Sequence, residues 1–354
     1  MAEGSGDKRR GGPGGRRGGH GGFKKKRLHK RDFGKKGSRP NVWSQDQGGG
    51  NRLSSKDQLT GDETYELKPF QLSNESFETY YKGQGFLKED EWDAFMQVLR
   101  TQLPATFRIN GSGNFANAIR DKLRAEVESN FAGLVSEGGE VPRGKVVVDG
   151  EVKDPMKPLA WYPGGYGWQM QYSRNQIRKL ESLERFHDFL KRENEAGNIT
   201  RQETASMIPP FFLDVTPQSR ILDMCAAPGS KTFQLLEMIH AGEGVPTGYV
   251  VANDSDAKRC NLLTHQTKRM CSPSLLITNH MGQRFPTLPG GPIFDRILCD
   301  VPCSGDGTLR KAPDLWRRWN LSMGMNLHKL QLQIACKAAE LLEVGGRLVY
   351  STCR

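Results

Sequence analysis

Arg220–Thr232 reads R-I-L-D-M-C-A-A-P-G-S-K-T. A strand-like run over Arg220–Cys225 leads into a loop of small residues and enters a helix through Leu235 and Met238. Strand, tight loop and helix in that order open a parallel α/β sheet. The pattern recurs downstream. Strands are expected at Gly248–Asn253, Leu275–Thr278, Arg296–Cys299 and Arg347–Ser351, with helices through Leu262 and His265 and over Leu327–Leu342. Gly345-Gly346 reads as the stop signal of that last helix. The alternation predicts a Rossmann-like α/β domain over 212–354, a parallel sheet with helices on both faces. In such a sheet ligands sit at the carboxyl ends of the strands.

Toward the N-terminus the periodicity changes. Phe77, Tyr80 and Tyr81 recur at helical spacing, as do Trp92, Phe95, Met96 and Leu99; the aromatic residues read as core, with base-stacking platforms as the alternative. Thr106–Asn110 reads as a strand, 111–129 as a helix, and Lys145–Val148 with Val152 as a hairpin about Asp149-Gly150. Residues 63–158 are therefore expected to form a small α+β module of RNA-binding type, joined by a helical linker over 159–211. Residues 1–62 are a Gly-rich basic tail with too few apolar residues to repay ordering, and disorder is expected. Residues 1–60 carry 16 Lys/Arg against 5 Asp/Glu, so they hold the whole net charge of +11. A phosphate-attracting arm or a nuclear import signal fits the K-K-K-R run at Lys24–Arg27, and a solubilising tail is the alternative.

Composition excludes several classes. The N-terminus has no apolar segment for secretion, and no run approaches the roughly 18 apolar residues of a membrane span. Seven cysteines, all between Cys225 and Cys353 and with no CxxC pair, fit neither a disulfide framework nor a structural zinc site. No metal is expected, and a reducing compartment is.

The strand ends carry the chemistry. The loop Cys225-Ala226-Ala227-Pro228-Gly229-Ser230-Lys231 lets backbone approach a ligand at a helix N-terminus. It is neither a Walker loop nor a G-x-G-x-x-G turn, and a nucleotide-type ligand or a plain turn both fit it. Asp254, 25 positions past Gly229, suits ribose hydroxyls or a helix cap. C-D-V-P-C-S-G-D-G-T (Cys299–Thr308) brings Asp300 and Cys303, and Y-S-T-C brings Cys353. Two cysteines and an acid at adjacent strand mouths suit methylation of an unreactive pyrimidine carbon. A thiolate adds to carbon 6, carbon 5 becomes nucleophilic, and the carboxyl steadies the addition product beside ring nitrogen 3. A free thiol ionises near about 8.5, so a cation must help, and Lys231 is the candidate.

These motifs resemble the NOP/Sun family of RNA cytosine-5 methyltransferases. Q-L-P-A-T-F-R-I-N (Gln102–Asn110), L-A-W-Y-P (Leu159–Pro163) and T-R-Q-E-T-A-S-M-I-P-P (Thr200–Pro210) are similar to its eukaryotic tRNA-methylating branch, and the resemblance runs from about Glu75 to Cys353. It implies a class I methyltransferase domain with S-adenosylmethionine as donor, lined by Cys225–Lys231, Asp254 and Asp300. It also implies Cys353 as nucleophile, Cys303 assisting product release, tRNA as partner, and a nuclear or nucleolar location with cytoplasm as an alternative. The same reaction on ribosomal or messenger RNA, and an inactive RNA-binding fragment, are the rival readings. Two departures stand out. Met281 follows Asn279-His280 where the family has Asp, so either donor affinity is weakened or Asn279 or a displaced group substitutes. The sequence also stops at Arg354, one residue past Cys353, so the family's last helix and last two strands are expected to be missing, leaving the fifth strand as an edge.

Overall fold

A computed structural model describes residues 71–129, 146–148, 151–153, 156–173, 184–287, 289–291 and 293–353. The tail expected over 1–62 and the turn expected at Asp149-Gly150 lie outside the described residues.

Helices α1 (Glu75–Gly83) and α2 (Glu89–Arg100) come first. Asn74 caps α1, its side-chain oxygen accepting from the Phe77 amide at 2.9 Å, which satisfies one of the donors a helix start leaves free. Strand β1 (Pro104–Ile109) and helix α3 (Ala116–Ser129) follow, then a hairpin of β2 (Val146–Val148) and β3 (Glu151–Lys153). Next come β4 (Met156–Pro158), β5 (Gly167–Ser173), helix α4 (Glu184–Glu195) and β6 (Ile199–Arg201). They form an antiparallel sheet in the order β4-β5-β1-β6. Phe107 and Ile109 of β1 pack with Ile119 and Leu123 of α3, Leu190 of α4, Trp168, Met170 and Ile199.

This corrects the expected linker. Residues 159–211 supply two of the four strands of this sheet. Their signal was weak because β5 reads G-W-Q-M-Q-Y-S, with polar residues between the buried ones, and β6 has three residues. Helices α1 and α2, expected in the same module, pack elsewhere: Phe77, Trp92 and Met96 bury against Leu309, Leu315, Trp316 and Trp319. Truncating Phe77 to Ala would cost about 3–5 kcal/mol.

The second sheet is wholly parallel. It contains β7 (Arg220–Asp223), β8 (Tyr249–Asn253), β9 (Leu275–Thr278), β10 (Phe294–Asp300) and β11 (Leu342–Ser351) in the order β11-β10-β7-β8-β9. Helix α5 (Ser230–Ile239) follows β7, α6 (Ala257–Thr267) follows β8, and the short α7 (Leu315–Arg318) and long α8 (Leu321–Leu341) precede β11. Alternate strand residues face opposite ways. Ile221, Val250 and Leu298 pack on Leu235, Leu236 and Ile239 of α5. Leu222, Val251, Ile297 and Cys299 pack on Ile334, Ala338 and Leu341 of α8. Both faces are thus covered, as the α/β alternation required.

Gly345-Gly346 does not end the helix. The strand begins at Leu342, and the glycines lie within it where the β10–β11 register slips: Phe294 pairs with Leu342, but Arg296 with Arg347. Gly345 takes φ +85°, and a Cβ on Gly346 would sit 2.9 Å from the carbonyl oxygens of Asp295 and Glu343. A glycine bulge and a glycine helix stop look alike in sequence, and here the bulge is the one formed.

One buried ion pair joins the two sheets. Arg108, on the face of β1 away from α3 and fully buried, pairs with Glu237 of α5. It also donates to Gln202 at 2.6 Å and to the Ser230 carbonyl at 3.2 Å. Burial pushes the Glu237 carboxyl up to about 7 against the pull of Arg108. The guanidinium fork spreads its donors over Glu237, Gln202 and the Ser230 carbonyl, so it ties β1 to α5 and to the segment after β6, while the other Glu237 oxygen is buried without a partner.

Candidate active site

In the parallel sheet the chain starts at β7, moves outward through β8 and β9, and returns to β10 on the other side of β7. Such a switch opens a crevice at the carboxyl edge, and every site residue expected from the sequence is delivered to the strand ends there.

The loop after β7 is held from both sides. The Ala226 amide donates to the Asn253 carbonyl at 2.7 Å, and the Ala227 amide to Asp254 Oδ2 at 3.2 Å. Gly229 takes φ +107° before α5, and a Cβ there would lie 2.7 Å from Leu263 Cδ1. Only glycine meets both demands. Cys225 is half-buried, and burial pushes its thiol well up. Asp223, at the end of β7, is buried. One carboxyl oxygen accepts from Thr232 at 2.7 Å, the other has no partner, and burial raises the group to about 7.

Asp254 is 2% exposed and braces that loop. Besides the Ala227 amide it accepts from the Asp256 amide at 3.1 Å and faces Arg259 at 3.4 Å. Arg259 also donates to the Ala227 carbonyl. Asp254 was expected to meet ribose hydroxyls or to cap a helix, and each of its oxygens accepts from a backbone amide of the protein. Asn279, one expected substitute for the family's Asp, donates to the Asp254 carbonyl at 2.7 Å, and Met281 is exposed.

Lys231 and Asp300 meet across the crevice. Lys231 Nζ donates to Asp300 Oδ2 at 2.7 Å and to Ser206 Oγ at 2.9 Å. Ser351, at the end of β11, donates to Asp300 Oδ1 at 2.9 Å. Both carboxyl oxygens are therefore fixed, while the Asp300 side chain stays 36% exposed to the crevice. Ser206 and Ser351 were not singled out from sequence, although Ser351 directly precedes the T-C pair and Ser206 lies in the A-S-M-I-P-P run.

Cys303 and Cys353 come together, their sulfurs 2.8 Å apart. The Cys303 thiol falls to about 6, chiefly through the hydrogen bond from Cys353, helped by backbone donors and opposed by burial. Cys353 rises in turn, because its proton bridges to that sulfur. The hydrogen bond between the two sulfurs thus favours a single negative charge on the pair. Lys231 is not the cation that lowers the thiol: it is committed to Asp300 and Ser206. The lone buried thiol Cys299, four residues before Cys303, is pushed up to about 12. Among the described residues no group of three His, Cys, Asp or Glu could hold a metal ion, and no helix is long and apolar enough to cross a membrane.

Comparison with known proteins follows the same lines. The chain is 47% identical over 293 residues to the tRNA (cytosine(34)-C(5))-methyltransferase of Drosophila melanogaster, covering 79% of this chain and 38% of that one. It is 44% identical over 289 residues to the multisite-specific tRNA:(cytosine-C(5))-methyltransferase of Saccharomyces cerevisiae, covering 79% and 40%. The chain thus spans about two-fifths of the length of these curated relatives. The crystal structure of NSun6 from Pyrococcus horikoshii with SFG superposes with a TM-score of 0.53 at 20% identity, over 80% of this chain and 83% of that one. At that identity the likeness is one of fold: a Rossmann-like methyltransferase sheet behind an N-terminal module. Residues 210–354 match the family model described as 16S rRNA methyltransferase RsmB/F. That segment carries the match to the RsmB/F family model, and the identities with the fly and yeast relatives extend the similarity over 79% of the chain, in line with the resemblance of its motifs.

Proposed function

We propose that this chain methylates carbon 5 of cytosine in RNA, with tRNA as substrate class and S-adenosylmethionine as donor. The observation that carries the reading is the Cys303–Cys353 pair, 2.8 Å between sulfurs, at the mouths of the adjacent strands β10 and β11. The names of the relatives in fly and yeast support cytosine carbon 5 and tRNA.

The residues fit the donor. Cys225–Lys231 form a small-residue loop at a helix start, Asp223 keeps a buried carboxyl oxygen unpartnered beneath it, and Asp254 and Asp300 flank it. Cys225–Lys231, Asp254 and Asp300 would hold S-adenosylmethionine, which when bound supplies an electrophilic methyl group. The protein's own residues do the rest. Cys353 gives its shared proton to Cys303, and its sulfur adds to carbon 6 of the base, which concentrates electron density on carbon 5. Asp300, held by Lys231 and Ser351, relays a solvent proton to nitrogen 3 as the sulfur adds, which neutralises the charge that builds there, and takes it back when the sulfur departs. The carbon 5 proton then passes to solvent water, the bond from carbon 6 to the Cys353 sulfur breaks to release the base, and Cys303 assists that departure by returning its proton to the leaving Cys353 thiolate. The basic run Lys24–Arg31 supports a nuclear location and an RNA-attracting arm.

Incubating the purified chain with methyl-labelled donor and with tRNA, ribosomal RNA or messenger RNA tests this. Label on carbon 5 of cytosine in tRNA is expected. Label on an exocyclic amino group, or in none of the RNAs with folded protein, would contradict it.

A further inference from the structure

Tyr81 lies on α1, 225 residues from the loop it touches. Its hydroxyl donates to Asp306 Oδ2 at 2.5 Å. Asp306 is 4% exposed, and its other carboxyl oxygen is buried without a partner. The tyrosine is therefore the side chain that satisfies this buried acid. Helix α1 is itself firmly seated. Asn74 Nδ2 donates to the carbonyls of Trp316 and Trp319 at 2.9 and 3.1 Å, and the Phe77 ring packs edge-on against both indoles.

Asp306 belongs to the turn Gly305–Thr308, which touches both reactive cysteines. The turn opens at Gly305 with φ +80° and closes with the Thr308 amide on the Gly305 carbonyl at 2.8 Å. The Gly307 amide donates to the Cys353 carbonyl at 2.7 Å. The approach is so close that a Cβ on Gly307 would sit 3.1 Å from that oxygen. Cys303 stands two residues before the turn, and the Gly305 backbone donates toward its sulfur. One short turn thus fixes where Cys353 hangs relative to Cys303.

We propose that Tyr81 is a positioning residue for the cysteine pair, pinning Asp306 and through it the Gly305–Thr308 turn that holds Cys353. This rests on the reading of Cys353 as nucleophile. Removing the hydroxyl leaves a buried carboxylate unpaired, and the turn shifts to hydrate it, carrying the Gly307 amide with it. A displacement well under the width of an atom is enough to slow attack by an oriented nucleophile.

The test uses the full 354-residue chain carrying Tyr81→Phe, Asp306→Asn, both together, or Gly307→Ala. Methyl transfer to tRNA gives kcat and KM, and iodoacetamide alkylation of the protein alone gives the pH profile of the cysteine pair. Tyr81→Phe is expected to lower kcat about tenfold, with KM for tRNA and donor affinity unchanged, and to displace the alkylation profile. Asp306→Asn keeps an acceptor for the tyrosine hydroxyl and retains most of the rate. The double variant is no worse than Tyr81→Phe alone, because both act through one hydrogen bond. Gly307→Ala, which presses on Cys353 directly, reproduces the altered profile. Unchanged kcat and alkylation in Tyr81→Phe, or losses that multiply in the double variant, would overturn the proposal. If the wild-type chain transfers no methyl group, the proposed function fails, yet alkylation still reads whether Tyr81 governs the pair.

Discussion

Cys299 and Cys303 lie four residues apart on the same strand and the loop that leaves it, yet they have opposite chemistry. Cys299 is fully buried between β10 and α8 and its thiol is pushed up to about 12. Cys303 faces another thiol and two backbone donors at the crevice and is drawn down to about 6. Cys225, under the loop after β7, follows Cys299. The contrast teaches that reactivity here follows the donors that meet a sulfur and not its place relative to a strand end, since Cys225 also lies past its strand. Buried against apolar neighbours a thiolate would lose its solvation with nothing to replace it, whereas at Cys303, three residues past the end of β10, a second thiol and backbone donors converge on it.

That comparison can be broken most directly by substitution. Cys353→Ala is expected to reduce methyl transfer by at least about 10³-fold. Cys299→Ala is expected to keep turnover and cost about 1–2 kcal/mol in thermal unfolding. Equal losses of turnover from the two would erase the contrast. Next in size, Lys231→Met frees one oxygen of Asp300 and removes the cation beside it, and kcat is expected to fall about 10²-fold. The thiol pair sharpens the comparison further. Alkylation of Cys303, followed by mass spectrometry, is expected to rise through about pH 6 in the wild type. Because the largest influence lowering that thiol is the hydrogen bond from Cys353, the midpoint in Cys353→Ala should move up toward about 8.5. A midpoint that stays in place would assign the low value to the backbone donors instead. Smallest, Ser351→Ala removes one of the two donors on Asp300 and is expected to cost about three- to tenfold in kcat with KM for tRNA unchanged.

Much of the parallel sheet was legible because its strands are short apolar runs ending in chemically distinctive residues. Leu275–Thr278 matches β9 to the residue, and the runs ending at Cys225, Asn253 and Cys299 lie within two residues of the ends of β7, β8 and β10. The strand-end logic also found Lys231, Asp300, Cys303 and Cys353, which the fold brings to one crevice. Three things escaped. Gly345-Gly346 carried the same local signal for a helix stop and a bulge, and only pairing with β10 distinguishes them. The strands β5 and β6 were obscured by polar alternation and shortness. Tyr81 read as one more core aromatic, since its role depends on a partner 225 residues away, which no local pattern encodes. Lys231 was assigned the wrong duty for a related reason. Its spacing placed it in the crevice correctly, but which anion it would meet there was settled by geometry, and Asp300 lay nearer its reach than the thiols.

The central claim is that Cys353 attacks the base while Cys303 assists its release, and covalent trapping tests it most directly. In tRNA carrying 5-fluorocytosine the fluorine blocks loss of the carbon 5 substituent, so a working nucleophile stays bonded to the RNA. The account predicts a methyl-labelled protein–RNA adduct with the wild-type chain and with Cys303→Ala, and none with Cys353→Ala. An adduct that persists in Cys353→Ala and vanishes in Cys303→Ala would reverse the roles and contradict the account.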